Sequence, residues 1–140
     1  MKILPNRLRY FVSISALTAA FIFLAALLGG CNKVSHNGDL DGQWRILYIE
    51  NTEDGKITEP VQYFYCFYLH TANLTRGGIV ATANMTYEYP LLSLDFPYAS
   101  LATLSEWGIT TNPADFEIVS LSRTHLIMKT GTNLITLRKF

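Results

Sequence analysis

Gln43-Trp44-Arg45-Ile46-Leu47-Tyr48-Ile49-Glu50 opens in strict alternation: Trp44, Ile46 and Tyr48 share one face, Gln43 and Arg45 the other. A period of two is the mark of a strand with one face buried. Downstream, Asn51 to Glu59 is a polar loop carrying Asp54-Gly55, and Pro60 closes it. Val61 to His70 is dense in aromatic and β-branched residues, relieved only by Gln62 and His70. Leu74-Thr75-Arg76-Gly77-Gly78 reads as a hairpin connection, because Gly-Gly tolerates the positive φ such turns need. Ile79 to Glu88 is a moderately polar strand ended by Pro90. Leu91 to Phe96 alternates again, with Leu92, Leu94 and Phe96 inward, until Pro97 stops it.

One short helical signal interrupts the strands. Ser100 can cap it, Leu101, Leu104 and Trp107 repeat at three-residue spacing, and Gly108 can end it in the left-handed conformation. Two turns do not persist alone in water, so the segment must pack on the sheet. Phe116 to Leu121, Leu126 to Lys129 and Leu134 to Lys139 complete the set, with Gly131-Thr132-Asn133 as a tight turn between the last two. The expectation is an all-β domain of seven strands, or eight if one is broken, and one short helix. Connections this short suit antiparallel neighbours, since parallel pairing needs a crossover of about a dozen residues. Such strands form a sandwich or close into an up-and-down barrel without edges.

Upstream, Lys2, Arg7 and Arg9 precede an uncharged apolar run, Tyr10 to Leu28, which ends in Gly29-Gly30-Cys31. About 19 apolar residues could also just span a bilayer. Small residues at the end of the run and the polar stretch Asn32 to Asp41 behind it favour a cleaved secretory signal. Leu28-Gly29-Gly30-Cys31 resembles the lipobox of bacterial lipoproteins. The resemblance implies cleavage before Cys31, acylation of that cysteine and a stable membrane anchor. Asn32 at the next position implies the outer membrane, and Lys33-Val34, which lack the acidic cluster of some surface-exported lipoproteins, imply a domain facing the periplasm. On this reading residues 1–30 are signal, 31–39 are the lipidated cysteine and a flexible tether, and 40–140 are the folded domain. Three of the eleven basic residues leave with the signal and no acidic one does. Eight basic against eleven acidic residues leave −3, and nucleic-acid binding is not expected without a basic face. Cys66 becomes the lone thiol of the mature chain, and its aromatic neighbours predict burial.

The strand pattern carries a second resemblance. Leu40-Asp41-Gly42-Gln43-Trp44 is similar to the Gly-x-Trp opening of lipocalins and of small bacterial lipocalin-like lipoproteins. Phe116 to Ser122, Leu126 to Met128 and Leu134 to Arg138 look like the last three strands of that group. The resemblance implies a lipocalin-like barrel over residues 40–140, with Gly42 and Trp44 structural and Arg138 packed across the Trp44 ring at the closed end. An eight-stranded barrel is either just filled by its own side chains or holds one small ligand. Seven short strands favour the filled case.

Tyr63-Phe64-Tyr65-Cys66-Phe67-Tyr68 is the densest feature and offers two registers: Tyr63, Tyr65 and Phe67 inward, or Phe64, Cys66 and Tyr68. Its aromatic wall could hold a small apolar ligand or could make core. Tyr63, Tyr65, Phe67 and Trp107 are the candidate ligand contacts, with Trp107 either a lid or a plug. His36, His70 and His125 lack metal-ligand spacing, and neither metal nor cofactor is expected. Asp39 and Asp41 read as solvating the strand start. Catalytic motifs are absent from the sequence, and a thiol among apolar rings has its pKa raised, the wrong direction for a nucleophile. A non-enzymatic binding module is the leading expectation. The alternative is a filled barrel acting at the envelope as a protein-interaction or inhibitory module.

Overall fold

The computed structural model describes residues 35–140, so the expected signal, Cys31 and the first part of the expected tether lie outside the described residues. The strands are β1 (Gly42–Asn51), β2 (Ile57–Thr58), β3 (Phe64–Tyr68), β4 (Thr71–Thr75), β5 (Ile79–Glu88), β6 (Leu91–Asp95), β7 (Ala114–Leu121), β8 (His125–Thr130) and β9 (Asn133–Lys139). A 3-10 turn, Gly38–Leu40, precedes β1, and among the described residues the single α-helix, α1 (Leu101–Ser105), lies between β6 and β7. All nine strands form one antiparallel sheet in the order β2-β1-β3-β4-β5-β6-β7-β8-β9, and β1 also pairs with β9. That last pairing closes an up-and-down barrel of eight strands, with β2 a two-residue flank on the far end of β1.

Alternation governs what points inward. Trp44 and Ile46 of β1, Tyr65 and Phe67 of β3, Leu92 and Leu94 of β6, and Leu126 and Met128 of β8 are all buried. Small inward residues, Ala72 on β4 and Ala81 and Ala83 on β5, leave room for the rings opposite. Three irregularities, in the β1–β9, β4–β5 and β7–β8 pairings, break the ladder. Such bulges bend strands and help a sheet curve to closure. The first shifts the register after Ile46, so Ile49, at 8% exposure, takes the inward place expected for Tyr48.

The expected strand Val61 to His70 is in fact β3 and a turn. Gln62 and Leu69 take positive φ at either end of it, and Tyr68 pairs with Thr71 across a two-residue hairpin. Thr71–Thr75 is strand β4, so Leu74 and Thr75, expected in the hairpin connection, end a strand instead. The helix matches its signals: the Ser100 side chain accepts from the Thr103 amide, and Gly108 has φ +81°.

Candidate functional site

The barrel has two ends, and each is closed by a tryptophan. At the base, where β1 begins and β9 finishes, Trp44 is fully buried and its Nε1 donates to the Leu40 carbonyl at 2.7 Å. Lys139, rather than the expected Arg138, lies over the ring, with Nζ 4.8 Å from the centroid, and donates to the Asp39 carbonyl at 2.8 Å. Period two explains the change. Ile135 and Leu137 face inward, so the next inward position on β9 is 139, and Arg138 is exposed on the outer face. Gly42 is required here because its φ is +126° and a Cβ would stand 2.8 Å from Lys139 Cε. The motif is thus a glycine that lets a lysine pass over a tryptophan.

The described part of the spacer is tied to this end. The Asp41 carboxylate accepts from Ser35 Oγ at 2.7 Å, from the Asn37 amide at 3.1 Å and from Asn37 Nδ2 at 2.6 Å. Burial works to raise its pKa, but those bonds and nearby His36 outweigh it and hold the carboxyl below its usual range.

At the mouth, the turn after α1 drives Trp107 into the barrel, where its exposure is 0%. Tyr65 Oη donates to the Trp107 carbonyl at 2.8 Å, and Trp107 Nε1 donates to the Phe64 carbonyl at 3.3 Å. Gly108 makes the turn, since a Cβ would press within 3.1 Å of Ile135 and 3.2 Å of Ile49. Asn133 Nδ2 donates to the Gly108 carbonyl at 2.8 Å and pins the turn to β9. Over the plug lies a polar clasp. Arg76 bonds both the Tyr63 hydroxyl and Glu106, the latter at 2.6 Å, while Tyr63 Oη donates to the same carboxylate at 2.6 Å. The Tyr63 ring rests on Trp107 with centroids 4.7 Å apart.

All four candidate contacts are therefore brought together, but as plug and core. Tyr65 and Phe67 stack with centroids 5.8 Å apart, and with Trp107 they show at most 1% exposure. Tyr63 sits on the rim. Sequence reasoning missed Arg76 and Glu106, whose only signals were a charge inside a glycine turn and a charge after a two-turn helix. Cys66 differs from its expected burial: it is half-buried on the outer face, 3.8 Å from Thr75 Oγ1. Burial still pushes its thiol pKa up. His36 and His70 meet edge to face at 4.7 Å, and His125 leans on Thr124 instead. Among the described residues no group of three His, Cys, Asp or Glu side chains could hold a metal. Hollows on the outside of the described residues include one of about 220 Å³ beside α1, lined by residues including Lys56 and Glu106, and one of about 310 Å³ at the base among Arg45, Arg138, Lys139 and Phe140.

An antiparallel up-and-down barrel, closed below by a tryptophan after a glycine and above by a helix turn, defines a lipocalin-like protein. The chain belongs to the lipocalin-like domain family, whose pattern it matches over residues 26–140. Its barrel superposes on a lipocalin-like protein from Bacteroides uniformis with a TM-score of 0.62 at 21% identity, over 74% of this chain and 100% of the other. It also superposes on an uncharacterized protein from Bacteroides eggerthii with a TM-score of 0.59 at 13% identity, over 71% of this chain and 98% of the other. Likenesses this distant speak for the fold. No curated protein matches the chain.

Proposed function

We propose that this protein is a lipid-anchored, non-enzymatic component of the bacterial envelope whose filled barrel works through its outer surface. One observation carries the reading. The residues that would line a ligand site, Tyr65, Phe67 and Trp107, have at most 1% exposure and belong to the barrel's core, with Tyr65 stacked on Phe67 and bonded to the Trp107 carbonyl. A small apolar ligand, the usual expectation for a pocket of this fold, would need Trp107 to leave. That movement breaks the Tyr65 and Phe64 hydrogen bonds and opens the Tyr63–Arg76–Glu106 clasp. The anchor rests on Cys31 and its lipobox, the outer-membrane placement on Asn32, and the periplasmic facing on the absence of an acidic cluster at Lys33-Val34. The raised thiol of Cys66 supports a non-catalytic role, since the thiolate is the nucleophile.

Titration of the barrel with a fluorescent fatty-acid analogue tests the reading. Signal that rises without saturation is expected. Saturable binding of one probe per barrel would overturn the filled-barrel proposal in favour of a carrier.

A further inference from the structure

Outside the plugged interior, an unpaired pair of like charges lies toward the base. Arg45 and Arg138 are direct cross-strand partners on β1 and β9. Like charges directly opposite one another destabilise a sheet. Among the described residues the only ion pair is Arg76–Glu106, at the mouth. The row continues on both sides, to Phe64 on β3 and His125 on β8. A sequence that keeps such a pair gives up local stability, which is expected at functional positions and otherwise unexplained. The hollow of about 310 Å³ lies at the same place. Paired guanidinium forks match the oxygens of phosphate, which they can hold through two parallel bonds.

The same end presents apolar side chains. Phe140 is 77% exposed and meets Phe64 edge to face at 5.3 Å. The β3–β4 hairpin tip carries Tyr68 at 70% exposure and Leu69 at 45%. Leu69 holds φ +54°, where a bulky residue is an outlier and asparagine would sit more easily. A bare leucine kept in a strained, exposed turn calls for something to cover it. The chain upstream leaves from beside this tip, because Asn37 Nδ2 donates to the Leu69 carbonyl at 2.8 Å. Cys31 is four residues before Ser35, at most about 14 Å of extended chain.

We propose that this base, with Arg45 and Arg138 at its centre and Leu69, Tyr68 and Phe140 around them, docks on an anionic phospholipid surface. It deepens the outer-surface reading above and rests on it for the presence of a membrane. The guanidinium pair engages headgroup phosphates, and the apolar side chains enter the headgroup layer. The mouth, with its clasp, then points away from the bilayer. Docking fixes the orientation that a lipid tether alone leaves free.

The test uses the barrel from Ser35 to Phe140, which needs no acyl chain: it has its own closed core, and a relative is covered end to end by this unit. Sedimentation with phosphatidylcholine vesicles, with or without phosphatidylglycerol, reads the binding. Association with the anionic vesicles only, weakening as salt rises, is expected. Each arginine contributes about five-fold near such a surface, so Arg45→Gln with Arg138→Gln weakens binding about twenty-five-fold. Leu69→Asn weakens it several-fold while the melting temperature stays level or rises. Lys129→Gln, which removes one positive charge elsewhere on the barrel as each arginine substitution does, leaves binding near wild type. Equal binding to neutral vesicles, an unaffected double variant, or binding of inorganic phosphate without any to vesicles would overturn the proposal. Because Cys31 is absent from this fragment, failure here leaves the anchor reading standing, and that reading has its own test in Cys31→Ser.

Discussion

Replacing Trp107 with alanine removes the ring that fills the barrel mouth. The side chain is fully buried, and a tryptophan buries roughly 150–250 Å². At about 25 cal/mol per Å² that corresponds to roughly 4–6 kcal/mol, and measured truncations of this kind cost about 3–5 kcal/mol. The Phe64 carbonyl also loses its indole donor, though water at the opened mouth can replace it. The expected loss is therefore about 4 kcal/mol, which for a barrel of this size lowers the melting point by roughly 15–30 °C. The void left behind is on the order of 150 Å³ and apolar, the kind of space that admits a small aromatic molecule. Urea denaturation of the variant, with and without indole, measures both effects. Indole at a hundred times its dissociation constant should return about 2.7 kcal/mol. A loss below about 1 kcal/mol, with no rescue, would refute the plug and reinstate Trp107 as a movable lid.

Three further outcomes are expected. Trp44→Ala should cost about 3–5 kcal/mol by denaturant melts, and Lys139→Ala about 1 kcal/mol through the lost cation–ring contact. Arg138→Ala should stay within about 0.5 kcal/mol, and the reverse order of the two basic residues would restore Arg138 to the ring. The Asp41 carboxyl is held below its ordinary range in the folded chain, so its bonds stabilise the spacer fully above that range and are lost as pH falls through the lowered value. Amide exchange at Asn37 should accelerate in that acid window and already be fast at neutral pH in Asp41→Ala; protection unchanged in the variant would contradict the assignment. Cys31→Ser should release the exported protein from membranes, and retention of a cleaved form would contradict lipid anchoring.

How much of this was legible depended on whether a segment's side chains announce their faces. Trp44 with Ile46, and Leu92 with Leu94, do so by size and alternation, and the buried positions follow them. The Ser100 cap and Gly108 stop were equally plain, because each supplies a backbone need that few residues meet. Thr71–Thr75 hid because its inward residues are only Ala72 and Leu74, and the hairpin before it turns at Leu69-His70, which carries no turn chemistry. Tyr48 was misplaced because a bulge shifts register without leaving a residue signature. Arg138 was assigned from a family position, whereas counting inward residues from Leu137 reaches Lys139. The four candidate contacts run as a chain of neighbours, Tyr63 on Trp107, Trp107 bonded to Tyr65, and Tyr65 stacked on Phe67. Their role could not be read, since a ring that lines a cavity and a ring that fills one share the same alternation.

Native mass spectrometry of the barrel as purified bears most directly on the filled interior. The account predicts the bare polypeptide mass, with no small molecule retained through gentle desolvation. A stoichiometric apolar adduct that survives purification, and that falls away when Trp107 is replaced, would contradict it and make the barrel a carrier.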